Sequence, residues 1–251
     1  MGINTAILDV TKNKNSYYIY TKNEENLRKQ ASECMNKLEN GVADGIVINK
    51  NLTVYTSLPG LNDQLDTTSI LETLAKKHTL ILMDCDFETD MNFFAYAQEI
   101  YLVQSMDILT IQPLTAFLRD LKTKDILKPD KLRVVINKEL KVKGLSTKVL
   151  VGGMSFYNEP AMTFMTELFD KEKIKSCVIP FEIENYAKYL EALVDCDISL
   201  NSYTKTFIAN LKALANMVYP LVSRTNYSNG TGNYNYGQND SKVKKLFKFN
   251  K

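Results

Sequence analysis

The sequence predicts an α/β fold, a mostly parallel, doubly wound sheet flanked by helices. Short apolar runs alternate with longer amphipathic stretches along most of the 251 residues, the strand–helix order that a parallel sheet needs. Most of the apolar runs are continuous rather than alternating, as in strands covered on both faces. Several amphipathic stretches open on an acid or hydroxyl residue, a favourable helix start.

In chain order, the strands are expected at Thr5–Val10, Gly45–Ile48, Leu52–Thr56, Thr79–Met83, Glu99–Val103, Leu132–Ile136 and Ser176–Ile179. Helices are expected at Glu24–Leu38, Thr67–Lys76, Asp90–Ala97, Asp107–Thr123, Ser146–Val151, Glu159–Phe169, Glu184–Val194 and Ser202–Tyr219. After Pro220 the periodicity stops. The stretch Arg224–Ser241 is polar and rich in Gly, Asn and Tyr, which reads as a flexible linker. This gives an α/β domain over residues 1–222, a linker over 223–241 and a basic tail over 242–251.

Composition is that of a globular chain, 45% apolar and 24% charged. No apolar run approaches the ~18 residues of a membrane-spanning helix, and the N-terminus lacks the pattern of a secretory signal. Cys34, Cys85, Cys177 and Cys196 are widely spaced, and His78 is the one histidine. A zinc site is therefore not expected, and the cysteines read as reduced in a cytoplasmic protein. Net charge is +2, but five lysines fall in the last ten residues; without them 26 basic residues face 29 acidic. A mildly acidic body argues against nucleic acid as its partner.

In a parallel sheet, ligands collect beyond the carboxyl ends of the strands. There the sequence delivers Asp9, Asp84-Cys85-Asp86, Asn137-Lys138 and Pro180. Two carboxylates at strand ends suit magnesium, and an amide can read a base edge. The competing reading of each residue is a plain cap of the next helix. Cys85, between two acids, is expected to have a raised pKa and to be a spacer rather than a nucleophile. His78 reads as a surface or capping residue. The aromatic run Tyr17-Tyr18-Ile19-Tyr20 and the group Met154, Met162 and Met165 read as packing residues.

Taken in order, these segments resemble the MinD/ParA family of deviant Walker ATPases, in particular its CpaE/TadZ-like branch, from about Gly2 to Tyr219. Ala6-Ile7-Leu8-Asp9 is similar to the family's aspartate-bearing second strand. Leu52-Thr53-Val54-Tyr55-Thr56-Ser57-Leu58-Pro59 resembles the next strand, and Leu80-Ile81-Leu82-Met83-Asp84 the Walker B strand. Leu102–Asp107 and the helix with Arg119 resemble the segment after it. The resemblance implies Asp9 and Asp84 near the metal, Asn137 as the adenine-reading amide, and Pro180 and Phe181 beside the base.

Two departures qualify what the resemblance implies. No Gly-x-x-x-x-Gly-Lys-Ser/Thr occurs; the one double glycine, Gly152-Gly153, has no lysine after it. The family's first strand and the phosphate-cradling loop thus have no counterpart. Thr11 stands where the family has a water-orienting aspartate, and a hydroxyl cannot replace that carboxylate. Without the first strand, either two strand edges stay unpaired or the strands at Leu80–Met83 and Glu99–Val103 pair directly. A misassigned start, a sheet closed over the gap, or a strand supplied by a partner would each account for this.

On a helical wheel, Val243, Leu246, Phe247 and Phe249 gather opposite most of Lys242, Lys244, Lys245 and Lys248. A short basic amphipathic segment after a linker suits reversible binding to anionic lipid and resembles the membrane-targeting helix of MinD proteins. A solvated lysine tail is the alternative, and nucleic acid a weaker third.

The reading that follows is a nucleotide-fold module, catalytically silent as given, that localises or assembles a membrane machine such as a pilus or secretion system. The partners expected are a second copy, protein components of that machine and the membrane surface. No cofactor is expected for this chain alone; ATP and magnesium are expected where the missing loop is present. The alternatives are a fragment of an active ATPase with its loop upstream, and a plasmid or chromosome partition ATPase fragment.

Overall fold

The computed structural model describes residues 2–60, 65–147, 149–151 and 174–220. The expected helix Glu159–Phe169, the glycine pair and the methionine group, the linker and the tail lie outside the described residues. Two compact units make up the chain, one within Met1–Phe93 and the other within Phe94–Thr231. The fold is α/β, with mostly parallel strands in two sheets flanked by helices.

The first unit holds β1 (Thr5–Asp9), α1 (Asn15–Thr21), α2 (Glu25–Glu39), β2 (Ile46–Asn49), β3 (Leu52–Tyr55), α3 (Thr67–Lys77) and β4 (Leu80–Asp84). Its sheet runs in the order β2-β3-β1-β4. β1 is parallel to β3 and to β4, whereas β2 is antiparallel to β3. That hairpin departs from an all-parallel sheet because only Lys50 and Asn51 separate the strands, far too short a link for a parallel crossover. Gly45 leads into the hairpin; a Cβ there would lie 2.7 Å from both the Tyr55 ring and the Val54 carbonyl oxygen, so only glycine fits.

β1 is covered most fully on the face of Ala6 and Leu8, while Ile7 on the opposite face is half-buried. Ala6 and Leu8 are fully buried among Leu38 of α2, Ile70 and Leu74 of α3, and Tyr55 of β3. Burying a leucine of this kind contributes about 1.5–3 kcal/mol. The helix α3 starts where Asp66 accepts hydrogen bonds from the Ser69 backbone N–H at 3.2 Å and the Ser69 hydroxyl at 2.7 Å, an N-cap supplied by sequence-local chemistry.

At the other end of α3, His78 is buried rather than on the surface, although it does cap the helix. Its backbone N–H donates to the Leu74 carbonyl, and its ring is held between Asn4 and Tyr55. A lone histidine among polar residues gives no sequence signal for such a contact, because Asn4 and Tyr55 are distant in the chain.

β4 carries a ladder to β1 on one side and, among the described residues, none on the other. Its run Leu80-Ile81-Leu82-Met83 nevertheless has the continuous apolar character of an internal strand, and Leu82 is 38% exposed.

The second unit holds α4 (Met91–Tyr96, shared with the end of the first), β5 (Ile100–Gln104), a 3₁₀ turn (Ile108–Thr110), α5 (Ile111–Thr123), β6 (Leu132–Glu139), β7 (Lys175–Pro180), α6 (Ile183–Val194) and α7 (Lys205–Val218). Its sheet is parallel, in the order β5-β6-β7. Val134 and Ile136 of β6 are fully buried, as are Leu118 and Leu121 of α5. Glu99, just before β5, pairs with Arg133 of β6 at 2.5 Å. β5 carries its ladder on the β6 side alone among the described residues.

Candidate functional site

At the carboxyl end of the first sheet, Asp9 and Asp84 stand opposite each other in the β1–β4 register. Asp9 is fully buried. Its Oδ1 accepts from the Thr11 hydroxyl at 2.6 Å and the Thr11 backbone N–H at 3.1 Å; its Oδ2 accepts from the Ser16 backbone N–H at 3.0 Å. A carboxylate from the strand end thus caps the turn that leads into α1. That helix went unseen in the sequence because its buried side of Ser16, Tyr17 and Thr21 has no apolar period.

Asp86 behaves similarly. Its Oδ2 accepts from the Lys12 N–H at 2.6 Å, and its Oδ1 accepts from the Glu88 N–H at 2.9 Å and the Thr89 hydroxyl at 3.1 Å. These backbone and hydroxyl donors hold its carboxyl below the usual carboxylate range in spite of burial, the largest single influence. Asp84 differs. Although Asp84 is exposed, partial desolvation raises its pKa, and the charges of Asp9 and Asp86 add to that, while Lys14 acts in the opposite sense. The neighbouring Cys85 thiol is pushed up to about 12, by burial first and then by the three aspartates, so it is not a thiolate at neutral pH.

Lys14 is the residue that sequence reasoning missed. It lies in the run Thr-Lys-Asn-Lys-Asn, which reads as a solvated turn. In the structure it is only 6% exposed, in the left-handed region at φ 49°, with Nζ donating to the Asp9 main-chain carbonyl at 3.2 Å. By contrast, Lys12 points out and pairs with Glu88 at 2.7 Å. No compositional signal separates the two lysines; the turn geometry does.

A divalent cation at Asp9 and Asp84 does not fit this arrangement. Both Asp9 oxygens already accept hydrogen bonds from the turn, and the Lys14 ammonium donates to the Asp9 carbonyl at the same strand end. Among the described residues, no group of three or more His, Cys, Asp or Glu side chains could hold a metal. Asp9 accepting the Ser16 N–H in the first turn of α1 is the plain alternative, a cap of the next helix, that its position after an apolar strand allowed.

In the second unit, Asn137, Pro180 and Phe181 meet at the carboxyl ends of β6 and β7. Asn137 is in register with Ile179, and Pro180 with Glu139, after a register shift at Lys138 (φ 56°). The Phe181 N–H donates to the Glu139 carbonyl at 2.8 Å. The Phe181 ring lies 5.7 Å from that of Tyr186, and Lys138 Nζ sits 4.7 Å above the same tyrosine. The Asn137 side chain makes no hydrogen bond among the described residues. Such a corner can bind a flat polar ring.

No family model and no curated protein sequence matches the chain. Solved structures do. The MinC:MinD cell division protein complex of Aquifex aeolicus matches at 12% identity, over 88% of this chain and 86% of that one, with a TM-score of 0.56. A ParA family ATPase from Chlorobium tepidum matches at 10% identity, over 85% and 86%, with a TM-score of 0.57. The ATP complex of McdA from Cyanothece matches at 13% identity, over 88% of each chain, with a TM-score of 0.50. At such identities the likeness concerns the fold, which is that of the MinD and ParA ATPases.

Proposed function

We propose that the chain is a MinD/ParA-like module of the CpaE/TadZ kind, catalytically silent as it stands, that helps to localise or assemble a membrane-associated machine such as a pilus or secretion system. One observation carries the silence. The loop after β1 spends its Thr11 hydroxyl on Asp9 and turns Lys14 back onto the Asp9 carbonyl. Neither group then addresses a triphosphate or its attacking water. Homodimerisation, a cytoplasmic location and attachment to anionic lipid through Lys242–Phe249 belong to the same reading. They draw on the sequence pattern of a tail that lies outside the described residues. No described helix is long and apolar enough to cross a membrane, so attachment by a tail is the form of membrane association the reading calls for.

The test is calorimetric titration of the full chain with ATP and magnesium. No saturable heat is expected; micromolar affinity would overturn the reading.

β4 favours a second reading, that the chain is part of a working ATPase whose phosphate loop lies upstream. Its apolar run, with a ladder on one side among the described residues, suits pairing with one more parallel strand. An in-frame Lys-Gly-Gly-x-Gly-Lys-Thr before Met1 would favour this reading over catalytic silence. In that case Asn137, Pro180 and Phe181 would flank the base.

A further inference from the structure

We propose that the Lys14 ammonium is the resident counter-cation of the Asp9–Asp84 pair, standing where a divalent metal would stand, and that it closes this strand end to magnesium. The proposal goes beyond the localisation role and rests on the first unit alone.

Burial is the first argument. Lys14 is the one lysine among the buried described residues, and an ammonium taken out of water is held only where charge or acceptors compensate it. The acceptor is the Asp9 carbonyl at 3.2 Å. The charge comes from Asp9, fully buried, and Asp84, its register partner.

Backbone strain is the second. Lys14 holds a left-handed conformation, φ 49° and ψ 50°, that side chains with a Cβ adopt at a cost. The turn is pinned by the Lys14 N–H donating to the Thr11 hydroxyl at 3.2 Å and by the Tyr17 N–H donating to the Lys14 carbonyl at 2.9 Å. A glycine would take this conformation without strain, so the side chain is present in spite of the geometry. It brings its ammonium to the Asp9 carbonyl.

The neighbouring groups leave that task to Lys14. Lys12 is committed to Glu88 at the surface, and Asp86 is satisfied by two backbone N–H groups and the Thr89 hydroxyl. Among the described residues, no hydrogen-bond donor reaches the Asp84 carboxylate.

The experiment compares the wild-type full chain with Lys14→Gly, which removes the ammonium and relieves the strain, and with Lys14→Met, which keeps the strain. Manganese is titrated by the loss of its free-ion spin resonance signal, without nucleotide, and melting is followed in EDTA and in manganese. Wild type is expected to bind no manganese below the millimolar range and to melt at the same temperature in both. Both variants are expected to gain saturable binding at least tenfold tighter, and to melt higher with manganese than with EDTA. Adding Asp84→Asn to Lys14→Gly should abolish the gain. If a variant fails to fold in EDTA, recovery of its fold by manganese supports the proposal and failure to recover overturns it. Wild type binding manganese as tightly as the variants overturns it. So does a rise in the melting temperature of wild type, but not of Lys14→Met, with inorganic phosphate, since Lys14 would then be an anion ligand. Saturable ATP binding would sink the reading of catalytic silence and leave this result standing on its own.

Discussion

The Tyr55 hydroxyl lies 2.7 Å from Nε2 of His78, while Nδ1 of the same ring lies 2.8 Å from the Asn4 amide oxygen. The Asn4 amide nitrogen donates to the Lys77 carbonyl at 2.7 Å, which sets the orientation of the amide. Its oxygen can only accept, so Nδ1 carries the proton and Nε2 accepts from the tyrosine. One neutral imidazole thereby joins the segment before β1, the end of β3 and the end of α3.

This arrangement predicts an acid-side loss of stability. Burial, followed by the Lys77 charge, lowers the His78 pKa below its ordinary 6.5. The unfolded chain therefore takes up a proton before the folded one does. Stability is complete above the unfolded value of about 6.5 and falls as pH drops from there towards the folded value. His78→Gln should flatten denaturant-derived stability as pH falls below about 6.5. Tyr55→Phe should cost about 1–2 kcal/mol by leaving Nε2 without its donor.

Asp84 predicts the opposite dependence. Its folded pKa is raised above 3.8 by partial desolvation, Asp9 and Asp86. Its stability contribution is therefore present below the unfolded value and is lost as pH rises through the folded value. Asp84→Asn should raise the melting temperature at pH 7, with the gain shrinking towards pH 4. An unchanged or lower melting temperature at pH 7 would show that Lys14 outweighs the two aspartates.

The one-sided ladder of β4 predicts uneven protection within one sheet. Peptides covering Leu80–Asp84 should exchange deuterium faster than those covering Thr5–Asp9, which has ladders on both sides. Equal protection would mean that another strand covers the open side.

The basic tail predicts membrane attachment. The full chain should sediment with anionic vesicles, and a chain ending at residue 240 should remain in the supernatant. Each lysine near such a surface contributes about 1 kcal/mol, so the effect should fade with salt. Equal sedimentation of the two chains would refute the anchor.

Much of the architecture was legible in the residues. All seven strands lie within one to three residues of their expected bounds, because continuous apolar runs between turn residues leave few alternatives. The break at the 3₁₀ turn before α5 was not visible, nor was α1. For α1 the reason is physical: its first turn is capped by Asp9, a contact made only once β1 is in the sheet. Asp9, Asp84, Asn137 and Pro180 do stand at carboxyl strand ends, as expected from their place after apolar runs. What Asp9 does there was open until its hydrogen bonds were known.

The residues alone determined an α/β chain, the order of its elements, the absence of a phosphate-loop motif and the basic character of the tail. These depend on patterns of neighbours along the chain, where apolar periodicity and turn chemistry act over a few residues. The tertiary structure alone decided that Lys14 is inside and Lys12 outside, that Asp9 is spent on a turn, and that His78 is buried between Asn4 and Tyr55. A lysine's side chain turns inward or outward according to a backbone dihedral and the charges that meet it, and those charges arrive from strands far apart in sequence.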